Sequence, residues 1–284
     1  MESYKVIRRK IRGHSGGIFL PGDIVFESNF APGRAEFFAR QRFLERVAEN
    51  KDTFKISIIS AVWKRPEVFE MFSKQIKMLE KIEGIEIVTI IAGSEWQKSQ
   101  KMVEKYGFKY IEIPNAPLAA KVNAPAYQSQ FEDVDYVLCL GSDDLISVEL
   151  MKYYIELMKK GYDFIGISDF YFYDTESKQA AYWGGYRGRK NTGHTCGAGR
   201  LISARLMKAW DWMPWENKHS LVLDQSIQEK LKATRHSSFT FSLKEKGLFA
   251  VDIKSSTNMT PFSLWDNTQF IDKGIILKQF PCVE

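Results

Sequence analysis

The chain is poor in cysteine, with three in 284 residues: Cys139, Cys196 and Cys282. Their number is odd, their spacing is wide and no Cys-x-x-Cys occurs. That pattern argues against a disulfide framework or a zinc knuckle and suits a reducing compartment. Long apolar runs are missing as well. No stretch approaches the roughly 18 apolar residues of a membrane helix. The opening MESYKVIRRKIRGHSGG lacks the apolar segment of a secretory signal, so a cytoplasmic location is expected. Charge of one sign is also scarce. The 40 basic and 35 acidic residues leave a net charge of +5, which bears mainly on solubility. There is no internal repeat and no low-complexity tract. The segment AVWKRPE after the first long apolar strand contains no glycine, so it cannot form a Gly-rich phosphate loop.

Aromatic residues are abundant: 20 Phe, 12 Tyr and 7 Trp, or 14% of the chain. A large core accounts for most of them, and a site that stacks sugar or base rings would account for an excess. Hydrophobic residues at 44% and charged residues at 26% are ordinary for a globular protein. The length suits one large domain with a small appendage.

Residues 1 to 52 differ from the remainder. YKVIRRKI and GGIFLPGDIVFES read as short strands around a Gly-rich turn, and RAEFFARQRFLERVAENK reads as a linking helix. Arg8, Arg9, Lys10 and Arg12 form a basic run, either a charged strand edge or a contact for a polyanion such as nucleic acid. From residue 53 onward, strands and helices alternate. FKISIISAV, IEIVTIIAG, FKYIEIP and DYVLCLG read as buried strands. The segments between them read as helices, the third interrupted at Pro125. Ser147 is placed to cap the helix after DYVLCLG. Later pieces read as further strands and helices, with a loose tail from about 255. Near-continuous apolar strands alternating with helices indicate an α/β sheet covered on both faces. Ligands bind such sheets at the carboxyl ends of the strands.

That rule draws attention to YVLCLGSDDLIS, residues 136–147. A buried strand ends there in two adjacent acids, Asp143 and Asp144. Paired carboxylates repel one another, and burial raises the cost of their charge. They either cap the next helix or hold a hard cation such as Mg²⁺ or Mn²⁺ against phosphate oxygens. Arg65, after the first strand, and Ser94 and Glu95, after the second, belong to the same mouth. Each has a plainer reading as a charge or cap near a helix start.

The order ISIISAVWKRPE, IAGSE, NAPLAAKVNA and DYVLCLGSDD resembles the nucleotide-sugar half of GT-A-fold glycosyltransferases, family-2-like. The resemblance extends through CGAGRLISARLM and LVLDQSIQEKL, and so covers about residues 54–260. It implies a GT-A-like, Rossmann-type mixed sheet flanked by helices over residues 53–284, with the β appendage at 1–52. It implies a metal-dependent glycosyltransferase, hexosyltransferase-like, that moves a sugar from a nucleoside diphosphate, a UDP-sugar first, to an acceptor hydroxyl. Asp143 would ligate Mn²⁺ or Mg²⁺ and Asp144 would face the donor sugar, with Gly141 where the family's first Asp stands. Ala61, Arg65, Ser94, Glu95, Lys121 and Asn123 would meet the nucleotide, and Gly197, Gly199 and Arg200 the sugar and phosphates. Asp224 would be the base of an inverting displacement. Trp183 and Tyr186 would stack on the acceptor, and His194 could join the metal. The N-terminal appendage is similar to those of bacteriophage-encoded proteins. That implies a host-cytoplasm setting and a modified DNA base as acceptor, with glycans or lipid-linked sugars as the alternative. A sugar-nucleotide nucleotidyltransferase, a polymerase palm and a non-catalytic nucleotide-sugar-binding module are the rival readings.

Overall fold

The computed structural model describes residues 3–6, 11–12, 18–20, 24–40, 44–47, 51–186, 194–217, 223–256, 258, 262 and 268–283. The chain divides into two compact units, residues 1–52 with 156–161, and residues 53–155 with 162–284. The first contains β1 (Ser3–Val6), β2 (Ile11–Arg12), β3 (Ile18–Phe19), β4 (Ile24–Phe26), α1 (Arg34–Arg40) and β5 (Leu44–Val47). Strand β1 lies between β4 and β5, antiparallel to both, and β2 pairs with β3. Tyr4, Val6, Ile11, Val25, Phe30 and Ala35 form its core. The expected linking helix is therefore half strand. Helix α1 stops at Arg40, and Leu44–Val47 pairs along the whole of β1. Pairing with a strand that buries Tyr4 and Val6 outweighs a weak helical preference. Arg8, Arg9 and Lys10 of the basic run lie outside the described residues.

The second unit begins with β6 (Phe54–Ala61), α2 (Pro66–Leu79), β7 (Ile85–Gly93), α3 (Gln97–Glu104), β8 (Lys109–Glu112), α4 (Leu118–Gln128) and β9 (Tyr136–Cys139). Then come β10 (Asp144–Ile146), α5 (Val148–Lys159), β11 (Phe164–Ile167), β12 (Phe170–Asp174), β13 (Ala180–Trp183), β14 (Arg200–Ser203) and α6 (Ala204–Ala209). The last elements are α7 (Leu223–Ala233), β15 (Ser238–Phe241), α8 (Leu243–Lys246), β16 (Ala250–Lys254), β17 (Thr268–Ile271) and α9 (Lys273–Gln279). Seven strands form the main sheet in the order β15-β11-β14-β9-β6-β7-β8. Strands β6 to β9 are mutually parallel, and β14 runs antiparallel between β9 and β11. The carboxyl ends of four parallel strands thus open on one edge. A second sheet, β10-β16-β12-β13-β17, begins its edge strand β10 at Asp144, with Asp143 just before it.

The helices follow their apolar periodicity. Val68, Phe69, Phe72, Ile76 and Leu79 of α2 are buried, as are Leu150, Met151, Tyr154, Ile155 and Met158 of α5. Ser147 Oγ accepts the Leu150 N–H at 3.2 Å and caps α5, so neither Asp143 nor Asp144 is spent on that helix. Pro125 does not break α4. The helix runs through it, losing one N–H, while Ala119, Asn123 and Ala126 are buried. The tail holds regular structure too. Strand β17 pairs antiparallel with β13, and Asp272 caps α9 by accepting the Gly274 N–H at 3.0 Å. Trp210 and Trp215 pack with Ile59, Val137, Phe164 and Ile227, so part of the aromatic excess is core.

Asp163 ties three strands together. Just before β11, it accepts from Ser203 Oγ at 3.2 Å, Arg205 Nε at 2.8 Å, Ser237 N at 2.8 Å and Ser237 Oγ at 2.9 Å. Burial opposes its charge, but Arg205 and the Ser237 donors prevail and hold its carboxyl below the usual range. Replacing Asp163 with Ala is expected to cost about 3 kcal/mol in urea unfolding at pH 7, since it orphans buried donors and Arg205. The folded-state value is depressed, so this stability is present above the unfolded pKa near 3.9 and is lost as pH falls through the folded value. The gap between parent and variant should therefore close in acid. A gap that persists unchanged at pH 3 would refute the account.

Candidate active site

A cleft of about 470 Å³ opens at the carboxyl ends of β6 and β9. Ala61, Arg65, Lys121, Asp143, Asp144, Gly197, Arg200 and Asp224, all singled out in the sequence, line it. So do Trp63, Asn115, Asp252, Lys254 and Asn258, which that reading did not single out. Ser94, Glu95, Asn123, Gly199, Trp183 and Tyr186 are not among the lining residues.

Arg65 reaches the acid pair through an uncommon backbone. Lys64 and Arg65 both have positive φ, 56° and 61°, immediately before Pro66. Two successive non-glycine residues in the left-handed region are strained by about 1–2 kcal/mol each. The Lys64 N–H donates to Glu95 Oε2 at 2.6 Å, which helps to hold the turn. Arg65 then donates to Asp143 Oδ2 at 2.6 Å and to Ser142 Oγ at 2.9 Å. The Asn258 amide donates to the same Asp143 oxygen at 2.7 Å.

Asp144 is 8% exposed, and its Oδ2 accepts the Gly141 N–H at 2.5 Å. Strand pairing sets it directly opposite Asp252. Burial, then Asp143 and Asp252, push the Asp144 carboxyl well above the usual range. Burial and Asp143 push Asp252 up to about 7, against the pull of Lys254, whose Nζ lies 2.5 Å from Asp252 Oδ2. The structure also explains Gly141. A Cβ there would stand 2.6 Å from Asp143 Oδ1 and 2.7 Å from Asp144 Oδ2. The two carboxylates fill the space that a side chain at position 141 would need.

These oxygens suit a hard divalent cation. Asp252 Oδ1 is buried with no hydrogen-bond partner, and three mutually repelling carboxylates would be relieved by added positive charge. Among the described residues no group of three or more His, Cys, Asp or Glu side chains is arranged to hold a metal by itself. A cation held by Asp143 and Asp252 would complete its shell with ligand oxygens and water, as Mg²⁺ commonly does. His194 stands against the Tyr186 ring, 6.4 Å between centroids, and belongs to no such group among the described residues.

Asp224 stands in the first turn of α7. Its Oδ1 is 2.9 Å from Arg200 Nη1, and its Oδ2 accepts the Tyr186 hydroxyl at 2.6 Å. Arg200 is fully buried and also donates to Thr195 Oγ1 at 3.0 Å and Thr195 O at 2.9 Å. Its guanidinium is thus committed to Asp224 and the 195 loop rather than offered to phosphates. Burial and Asp224 raise the Tyr186 phenol above its ordinary value, so it stays protonated and donates. Tyr186 therefore serves Asp224, and Trp183, buried and edge-on to it at 5.0 Å, presents no open face for an acceptor to stack on. Gly199 has φ +77°, its carbonyl accepts the Tyr154 hydroxyl at 2.5 Å, and a Cβ would strike Ile167 at 2.3 Å. Its role is in packing.

Lys121 is 1% exposed, so it is not a solvated helix lysine. Its ammonium donates to Val62 O at 2.7 Å, Ser94 Oγ at 2.6 Å and Asn115 Oδ1 at 2.8 Å. These acceptors follow β6, β7 and β8, so one side chain ties three strand exits together. Asn123, two residues on, bonds Trp215 and Asn217 instead and fixes that loop.

The comparisons bear on the fold. The crystal structure of S. aureus TarS 1-349 in complex with UDP-GlcNAc superposes with a TM-score of 0.53 at 15% identity, over 72% of this chain and 60% of that one. The fold is GT-A-like. The UDP complex of the same protein gives 0.46 at 14% identity, over 68% and 62% of the two chains. The inositol-1-phosphate CTP transferase from T. maritima also gives 0.46, at 9% identity, over 74% and 92%. No family model matches the chain. No curated protein matches it. No helix among the described residues is long and apolar enough to cross a membrane.

Burial pushes Lys121 down to about 8 despite the pull of Glu95. Between that value and the unfolded pKa near 10.4 the unfolded chain binds more protons, so stability rises with pH across the window. Lys121→Met is expected to lower stability overall and to remove this rise. Urea midpoints at pH 7.5 and 10 check it, and an identical slope in both proteins would refute it.

Proposed function

We propose that this chain is a glycosyltransferase that takes a sugar from a nucleoside diphosphate sugar. The observation that carries the reading is one cleft with two chemically different ends. The acids at the exits of the main sheet line it, and so does Asp224, a carboxylate oriented by Arg200 and Tyr186. The likeness to a fold whose solved example holds UDP-GlcNAc supports it.

In the proposed reaction the acceptor oxygen bonds to the anomeric carbon. The bond from that carbon to the diphosphate oxygen breaks, and its electron pair stays with the leaving nucleoside diphosphate. The acceptor proton passes to the Asp224 carboxylate. Arg200 and Tyr186 hold that carboxylate in place, and Arg65 and Lys254 supply fixed positive charge near the acid end. Asp143 and Asp252 would hold a Mn²⁺ or Mg²⁺ ion, which would offset charge on the departing diphosphate. The nucleotidyltransferase reading gains nothing from the first strand exit, where Val62, Trp63, Lys64 and Arg65 stand in place of a Gly-rich loop.

Thermal shift with UDP, GDP, CDP, dTDP and ADP, each with and without Mn²⁺, tests the reading. One nucleotide is expected to raise the melting temperature by several degrees in a Mn²⁺-dependent way, and Asp143→Asn should lose the Mn²⁺-dependent part. Asp224→Asn should keep nucleotide binding but slow sugar transfer, or slow donor hydrolysis by water, by about 10²–10⁴-fold. No shift with any nucleotide overturns the proposal, and full transfer by Asp224→Asn overturns the assignment of Asp224 as base. If the acceptor is a modified base in DNA, duplex binding should weaken steeply between 50 and 200 mM salt. A flat response would favour a glycan.

A further inference from the structure

We infer that Thr195 is a positioning residue for the proposed sugar transfer: through Arg200 it fixes the Asp224 carboxylate, and Gly166 supplies the seat that orients Thr195. The inference rests on the reading of Asp224 as the base of the glycosyltransferase proposed above.

Thr195 and Gly166 act from behind the cleft. Arg200 and Asp224 line it, whereas Thr195 and Gly166 are not among the lining residues, and Thr195 is 2% exposed. A guanidinium carries five N–H donors and no acceptor, and burying it is costly unless those donors are met. Arg200 is fully buried. Its Nη1 lies 2.9 Å from Asp224 Oδ1, its Nη2 donates to Thr195 O at 2.9 Å, and its Nε donates to Thr195 Oγ1 at 3.0 Å. All three nitrogens of the planar group are thus engaged, two of them by one residue. With Nε and Nη2 anchored, the plane of the guanidinium is set, and with it the place of Nη1 against the carboxylate.

Thr195 is itself held from two directions. The Cys196 N–H donates to Ile167 O at 2.8 Å, which ties the backbone to β11. The side chain fills the space that a side chain on Gly166 would need: a Cβ there would stand 2.3 Å from Thr195 Cγ2 and 2.8 Å from Thr195 Cβ. In a β-branched residue the methyl and the hydroxyl share one carbon. Seating the methyl against Gly166 therefore also directs Oγ1. Gly166 follows Ile165 on β11, and Ile165 pairs with Leu201, the residue after Arg200 on β14. The line Gly166, Thr195, Arg200, Asp224 runs from β11 to the proposed base. Packing alone would ask only for the volume of Thr195, whereas positioning asks for its hydroxyl.

Thr195→Val keeps the shape and removes the acceptor, and Thr195→Ser keeps the acceptor and removes the methyl. In proton–nitrogen NMR, the Arg200 Nε–H should exchange slowly with solvent in the parent and in Thr195→Ser, and about tenfold faster or more in Thr195→Val. Hydrolysis of UDP-, GDP-, CDP-, dTDP- and ADP-glucose and of UDP-GlcNAc with Mn²⁺, followed by release of the nucleoside diphosphate, supplies kcat and KM. For a donor that turns over, Thr195→Val should lower kcat about 10- to 100-fold with KM changed by less than about threefold, and Thr195→Ser should keep both within about threefold of the parent. Rapid exchange of the Arg200 Nε–H in the parent overturns the inference before any variant is made. Parental kcat in Thr195→Val, or a Thr195→Ser protein as slow as Thr195→Val, also overturns it and leaves the glycosyltransferase reading standing. Asp224→Asn at the parental rate removes the base and this inference with it. A parent inert toward every donor overturns the inference together with the reading beneath it.

Discussion

The Lys121 ammonium is the interaction on which one end of the cleft depends. A lysine in a nearly inaccessible place carries a desolvation cost of several kcal/mol unless every proton is met. Here each proton meets an oxygen, and the three oxygens belong to segments leaving three parallel strands. The strand exits are thereby fixed relative to one another. Removing any one acceptor leaves a buried donor in search of a partner. The bond network also imposes direction: Lys121 gives to Ser94, Ser94 gives to Asn115, and the pattern ends in an outward N–H. Rigidity at this end follows from that buried charge.

The opposite end works by repulsion rather than satisfaction. Asp143, Asp144 and Asp252 crowd into a partly dry site, with Arg65 and Lys254 as the cations paired to two of them. Asp144 and Asp252 are pushed up by burial and then by the Asp143 carboxylate. A folded protein keeps such groups at a cost to stability, and perturbed carboxylates of this kind cluster where ligands bind. The strain at Lys64 and Arg65 lies at the same edge. Trp96 adds to it: φ is 51°, ψ is −133°, and the side chain is 76% exposed. Three of the seven non-glycine residues with positive φ among the described residues thus lie at the strand exits, where stored strain is expected in a working site; Asp133, Lys178, Asp211 and Trp212 lie elsewhere.

Much of this was legible in the residues. The four parallel strands, the helices between them and the acid mouth follow from apolar periodicity and from the rule that open sheets bind ligands at their carboxyl edge. Asp224 at a helix start and Lys121 before the fourth strand were also visible. The partners were not. Nothing local marks Arg200 as the guanidinium under Asp224, because the two are brought together by β14 packing beside β9. Asp252 and Lys254 sit in AVDIK, a strand that reads as core, and only its pairing with β10 sets Asp252 against Asp144. A charged pair inside an apolar strand was the one available sign. The error over residues 44–47 has the same origin, since a short strand is specified by its neighbour more than by itself.

The two ends of the cleft are joined through β9. Asp143 follows that strand, and Arg200 pairs beside its last residue, Cys139, on β14. The arginine that holds the proposed base and the carboxylate proposed to face the diphosphate are therefore positioned by adjacent, hydrogen-bonded strands, and burial pushes the Cys139 thiol at the end of β9 up to about 12. Strand pairing is the stiffest connection a fold can offer between two side chains distant in sequence. Displacement at a sugar carbon needs an acceptor-side base and a leaving-group-side charge held at a set separation, and errors of about 1 Å are costly. The loops around the cleft can vary with acceptor and donor without disturbing that separation. The antiparallel insertion of β14 into an otherwise parallel run is the feature that makes the arrangement possible, because it returns a buried arginine to the edge where the parallel strands end.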